Sequence, residues 1–161
     1  MDSSGSNKTD VLVILDDEFG RLIASLRELT KTVPAELLYC HPPPVSIGEN
    51  ILKSAGTIEQ TCGGLTVNLW DDPFEWNLPE ALSNIDRITG YLDEVDDARR
   101  RAFASFGNDA ALTKLVSVPS GDAPQLLKVL LDTMVRAAEY RGRAITTFKI
   151  LSNKGASGFI I

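Results

Sequence analysis

Leu12, Leu15, Phe19, Leu22, Leu26, Leu29 and Val33 recur three and four residues apart, the spacing that gathers side chains on one face of an α-helix. This stripe predicts a helix over residues 9–33, ended by Pro34. A second stripe, Ile47, Ile51, Ala55, Ile58, Cys62 and Leu65, follows Ser46 and Glu49, which have the spacing of a capping box. Gly63 and Gly64 weaken the last turn of that helix. A third stripe runs through Ala81, Ile85, Ile88, Leu92, Val95, Ala102 and Phe106. It predicts a helix that starts near Asn77, carries Pro79 in its first turn and stops at Gly107. The fourth, Leu127, Leu130, Met134, Ala137, Ala144, Phe148 and Leu151, predicts a helix from Asp122, with Pro124 in its first turn, to about Asn153. Between the last two, residues 111–118 alternate weakly and are expected to be one short extended piece.

Four similar amphipathic helices predict an all-α protein, a four-helix bundle. Its connections are long for helix–helix loops, which permits crossovers between parallel neighbours without requiring them. The expected organisation is a polar, disordered tail over residues 1–8, one bundle over 9–154, and a C-terminal tail over 155–161.

Composition narrows the function classes. A chain of 161 residues that is 43% hydrophobic and 24% charged can build one core without a staple. The net charge of −6 disfavours a nucleic-acid footprint. The apolar run Val11–Leu15 is too short to span a membrane, so no membrane role is expected. The N-terminal residues have no apolar stretch of the secretory kind, and two cysteines suit the reducing cytoplasm, the expected location.

Two segments carry more specific information. The first is the proline-rich approach Pro42-Pro43-Pro44-Val45-Ser46-Ile47-Gly48-Glu49 with the helix that follows it. The second is Tyr140-Arg141-Gly142-Arg143-Ala144-Ile145 and the apolar stretch beyond. Together, and in this order, they resemble the two signature helices of the DinB/YfiT-like family of four-helix bundles. The resemblance implies an up-down-down-up helix order. It also implies a divalent metal held by three histidines, one on the second helix and two on the last at i and i+4. Matching Gly48-Glu49 and Ala55-Gly56 puts Lys53 at the first ligand position, and matching Arg141-Gly142 puts Arg136 and Tyr140 at the other two. Lysine and arginine offer a metal no lone pair near neutral pH, and a tyrosine must first lose a proton whose pKa is near 10. The only histidine, His41, lies in the first loop. No metal and no other cofactor are therefore expected.

What replaces the metal is read in two ways. Lys53, Arg136 and Tyr140 form a pocket for a small anion, or they belong to solvated faces where Glu49 pairs with Lys53 and Asp132 with Arg136 at i, i+4. The leading expectation is a non-catalytic or small-ligand-binding homodimer, since members of the family often pair through bundle faces. The alternative is a metal- and thiol-dependent transferase or hydrolase-like enzyme of the same family with altered ligands.

Other candidates have plainer readings. Trp70-Asp71-Asp72-Pro73-Phe74-Glu75-Trp76 is expected to cap the bundle, with a ligand-site floor or an oligomer contact as alternatives. Arg99-Arg100-Arg101 follows Asp93, Glu94, Asp96 and Asp97 and suits pairing along one helix. Cys62 reads as a core residue. Cys40 and His41 are adjacent, a poor geometry for a nucleophile and its base. Arg141 falls near the core seam, where Glu59 is its expected partner.

Overall fold

The computed structural model describes residues 10–157 except Pro42 and the segment 74–78, with side chains described as far as Asn153. The expected tail over 1–8, the helix start at Asn77, Phe74 and Trp76 all lie outside the described residues. Among the described residues four α-helices form: α1 (Val11–Thr32), α2 (Ile47–Val67), α3 (Ile85–Phe106) and α4 (Leu126–Ser157). Short 3-10 turns occupy Ala35–Leu37 and Asp109–Thr113. Among the described residues the only β pairing is one antiparallel bridge, Leu115 with Gln125. No described helix is long and apolar enough to cross a membrane.

Side-chain pairings fix the helix directions. Arg27 meets Asp93 and Arg99 meets Asp16, so α1 and α3 are antiparallel. Ser54 reaches Ala137 while Thr61 reaches Thr133, so α2 and α4 are antiparallel. Tyr39 contacts Leu82 before either helix begins, and Cys62 lines a cavity with Ala98 and Arg101, so α2 and α3 run the same way. The order is up-down-down-up, with α2 packed chiefly on α4 and α3, and α1 on α3.

All seven residues of the first stripe are buried, as are Ile47, Ile51, Ala55, Ile58 and Cys62 of the second. The capping box forms: the Glu49 amide donates to the Ser46 hydroxyl (3.2 Å), and the Ser46 amide donates to the Glu49 carboxylate (2.7 Å). By contrast, Asp10 does not cap α1 with its side chain. The Val11 and Leu12 amides donate instead to Asp109, at 2.9 and 2.8 Å, from the connection between α3 and α4.

Three boundaries differ from expectation. Helix α3 begins at Ile85 because Asn84 accepts from the Arg87 amide and caps it there, which leaves Ala81 exposed in the preceding turn. Helix α4 begins at Leu126, because residues 116–124 pair with one another through Val116 to Pro124 (2.8 Å) and Val118 to Asp122 (3.3 Å). It continues past Gly155 to Ser157, so the first part of the expected C-terminal tail is helical; residues 158–161 are outside the described set. Residues 111–118 divide between the second 3-10 turn and an extended piece.

A buried ion network ties α1 to α3. Arg99 donates from Nε to Asp96 at 2.9 Å and from Nη1 to Asp16. Its guanidinium crosses α1 at Gly20, where an added Cβ would already be in van der Waals contact with it. Arg27 and Arg100 also approach Asp96, at 3.7 and 3.0 Å. The arginine triplet is thus not simply a solvated run, since its first member is buried.

Candidate functional site

The seam between α2 and α4 can close tightly because Ala55, Ala137 and Ala144 are fully buried and present little bulk. Two buried hydroxyl contacts hold it: Ser54 donates to the Ala137 carbonyl (2.7 Å), and Thr61 meets Thr133 (2.7 Å). On the outer side of this seam is a cavity of about 270 Å³ lined by Lys53, Thr57, Gln60, Asp72, Arg136 and Tyr140. Lys53, Thr57 and Gln60 share one face of α2 by their i, i+4, i+7 spacing, and Arg136 and Tyr140 share one face of α4. The structure therefore brings the three residues at the expected ligand positions around one space.

Asp72 arrives there because the chain after α2 folds back on that helix. Asn68 takes a left-handed conformation (φ 55°) and ends α2. The Leu69 amide then donates to the Gly63 carbonyl (3.2 Å), and Gln60 Nε2 donates to the Trp70 carbonyl (2.8 Å). The Trp70 ring lies directly on Gly64, where a Cβ would fall 2.2 Å from the ring. Of the two glycines that weaken α2 in isolation, Gly64 thus makes room for the Trp70 ring and Gly63 for the Leu69 backbone.

Electrostatically the cavity has two cations and one carboxylate. The Lys53 ammonium is 6.0 Å from the centre of the Tyr140 ring, and the Arg143 guanidinium is 5.2 Å from it, so the ring is flanked by positive charge at cation–π distance. Arg136 is exposed and has no ion-pair partner among the described residues. Its expected partner, Asp132, is held by Lys128 at 2.6 Å one turn earlier. The other expected acid, Glu49, turns back to Ser46. Burial alone would raise its pKa, but the Ser46 amide and hydroxyl, His41 and Lys53 together bring it below the ordinary value.

This donor set does not suit a divalent metal. It has one carboxylate among ammonium, guanidinium, amide and hydroxyl groups. Among the described residues, no three His, Cys, Asp or Glu side chains gather in a geometry that could hold a metal ion.

The remaining candidates separate from the cavity. His41 directs Nδ1 at the Pro43 carbonyl (2.9 Å) and Nε2 towards Glu49 (3.8 Å), so its ring nitrogens serve the α2 cap. Cys62 is buried, and burial pushes its thiol up to about 12. Arg141 reaches Ser25 of α1 at 3.3 Å, not Glu59. Glu59 instead accepts from the Tyr91 hydroxyl at 2.5 Å; burial raises its pKa, and that hydrogen bond only partly offsets the rise.

Thr57 and Gln60 were not among the residues picked out by sequence, and Asp72 entered only within the 70–76 loop, for which a ligand-site floor was an alternative to capping. The first two were accessible to helical phase from Lys53, whereas Asp72 depends on the fold-back at Gly64. The fold and site together define a four-helix bundle with a polar, mixed-charge cavity at its α2–α4 seam. Comparisons with protein-family models, with curated proteins and with solved structures return no match to this chain.

Proposed function

We propose that this protein is a divergent DinB/YfiT-like bundle in which the metal position has become a small-anion site, and that it works as a binding protein. The observation that carries the reading is the single cavity lined by Lys53, Arg136 and Tyr140, in which Arg136 has no carboxylate partner among the described residues. The up-down-down-up order and the location of the cavity at the α2–α4 seam support the family resemblance. The free thiols of Cys40 and Cys62 suit a reducing cytoplasm.

Thermal melts in acetate and in inorganic phosphate test the site. At tenfold excess over the dissociation constant, linkage stabilises the fold by about 1.4 kcal/mol. That corresponds to a rise in Tm of roughly 3–6 °C for a domain of this size. The gain is expected to vanish in Arg136→Ala, whose own unliganded Tm should match the parent because the side chain is exposed. Equal stabilisation of the parent and of Arg136→Ala would place the anion elsewhere.

The protein is further proposed to be a homodimer. Leu131 and Val135, one turn apart on α4, are 44% and 60% exposed and give one helix face an apolar surface that a second copy could cover. Sedimentation at micromolar concentration is expected to show a dimer that Val135→Glu dissociates. A parent that sediments as a monomer rejects this arrangement.

A further inference from the structure

The proposed anion cavity has a second one beside it. A neighbouring space of about 730 Å³ shares Gln60 and Arg136 with it. Its polar side chains are largely engaged with one another. Lys128 binds Asp132 at 2.6 Å, Ser120 donates to Asp122 at 3.0 Å, and Thr61 meets Thr133 at 2.7 Å. What remains for a ligand to meet is mostly the apolar surface of Trp70, Val118, Pro119, Pro124 and Val129. This wall is built into the fold. Trp70 is seated on Gly64, and the 116–124 segment is closed by its own backbone bonds and tied to the start of α4 by Leu126 to Lys114 (2.9 Å).

Resting on the proposed anion site, we infer that the ligand is an amphipathic monocarboxylate. Its head group lies among Lys53, Arg136 and Tyr140, and its aryl or alkyl tail lies along Trp70, Pro124 and Val129. Arg136 stands at the junction of both spaces and can pair with a carboxylate by two parallel hydrogen bonds. A single negative charge is favoured over two. Among the described residues Arg136 is the one cation that lines both cavities, and the other cation of the larger one, Lys128, is already bound to Asp132. The larger volume falls in the range that encloses small organic ligands, and an apolar wall beside a small polar cavity is what an amphipathic molecule requires.

The test uses the full chain carrying Trp76→Phe, so that Trp70 is the sole tryptophan reporter. Titrations are made with 4-phenylbutyrate, acetate, inorganic phosphate and the uncharged 4-phenylbutanol. Phenylbutyrate is expected to change Trp70 emission and to bind tenfold or more tightly than acetate, since each buried methylene contributes about fourfold. Arg136→Ala should weaken phenylbutyrate at least tenfold, and Val129→Asp should reduce its advantage over acetate towards unity. If acetate and phosphate bind in an Arg136-dependent way but phenylbutyrate binds no tighter, the anion site stands and the amphipathic ligand falls. If phenylbutanol equals phenylbutyrate, the head-group assignment falls. If no probe binds, both readings fall together. Should Val129→Asp fail to fold by circular dichroism, Pro119→Asp makes the same measurement from the exposed side of the wall.

Discussion

Asp96→Ala is expected to lower the free energy of unfolding by up to about 3–5 kcal/mol, the cost of breaking a buried ion pair, because it takes from the buried Arg99 guanidinium one of its two carboxylate partners. Its side chain is 8% exposed and lies between the guanidinium groups of Arg99, Arg100 and Arg27. Without that carboxylate, like charges face each other across the α1–α3 seam, and only Asp16 and Asp93 remain to balance them. Urea denaturation should show a lower midpoint at unchanged slope. The exposed Lys128–Asp132 pair supplies the contrast, since Lys128→Ala should cost under about 1 kcal/mol. If the two variants lose equal stability, the network is a solvated rim and not part of the packing.

Gly64→Val is expected to cost about 1–3 kcal/mol through overpacking and to dislodge Trp70. Any side chain at this position occupies the place of the indole ring, and the helix backbone cannot withdraw without breaking the α2–α4 seam. Tryptophan emission should move to the red, and the apolar wall of the larger cavity should lose its main surface. Gly142→Ala is the control. A Cβ there meets nothing within 4 Å, and a helix interior gains about 0.5–1 kcal/mol from alanine. Unchanged emission in Gly64→Val would mean that Trp70 is held by other contacts.

How far the sequence could be read depended on whether each signal was local. The α1 stripe and the Ser46–Glu49 box are written within a few residues, and the structure contains both as expected. The starts of α3 and α4 were not legible in the same way. Pro79 and Asp122 both look like helix openings, but Asn84 caps closer to the hydrophobic run, and Asp122 is taken into the paired 116–124 segment. Pairings between distant helices left fainter traces. Arg99 looks like one of three surface arginines until Gly20, 79 residues earlier in α1, is seen to make room for it. The cavity was half legible: alignment with the family reached the three positions, helical phase set Lys53 and Arg136 off the apolar stripe and so spoke for solvated faces, and Asp72 and Trp70 needed the fold-back onto Gly64.

The cap on α1 carries a consequence for the order in which the chain can assemble. The first amides of that helix are satisfied by a carboxylate 97 and 98 positions downstream. During synthesis the opening turn of α1 therefore has no partner until α3 and the turn beyond it have been made. The N-terminal end of the bundle is completed late, by closure of a long loop, which is the kind of contact that slows folding rather than seeding it.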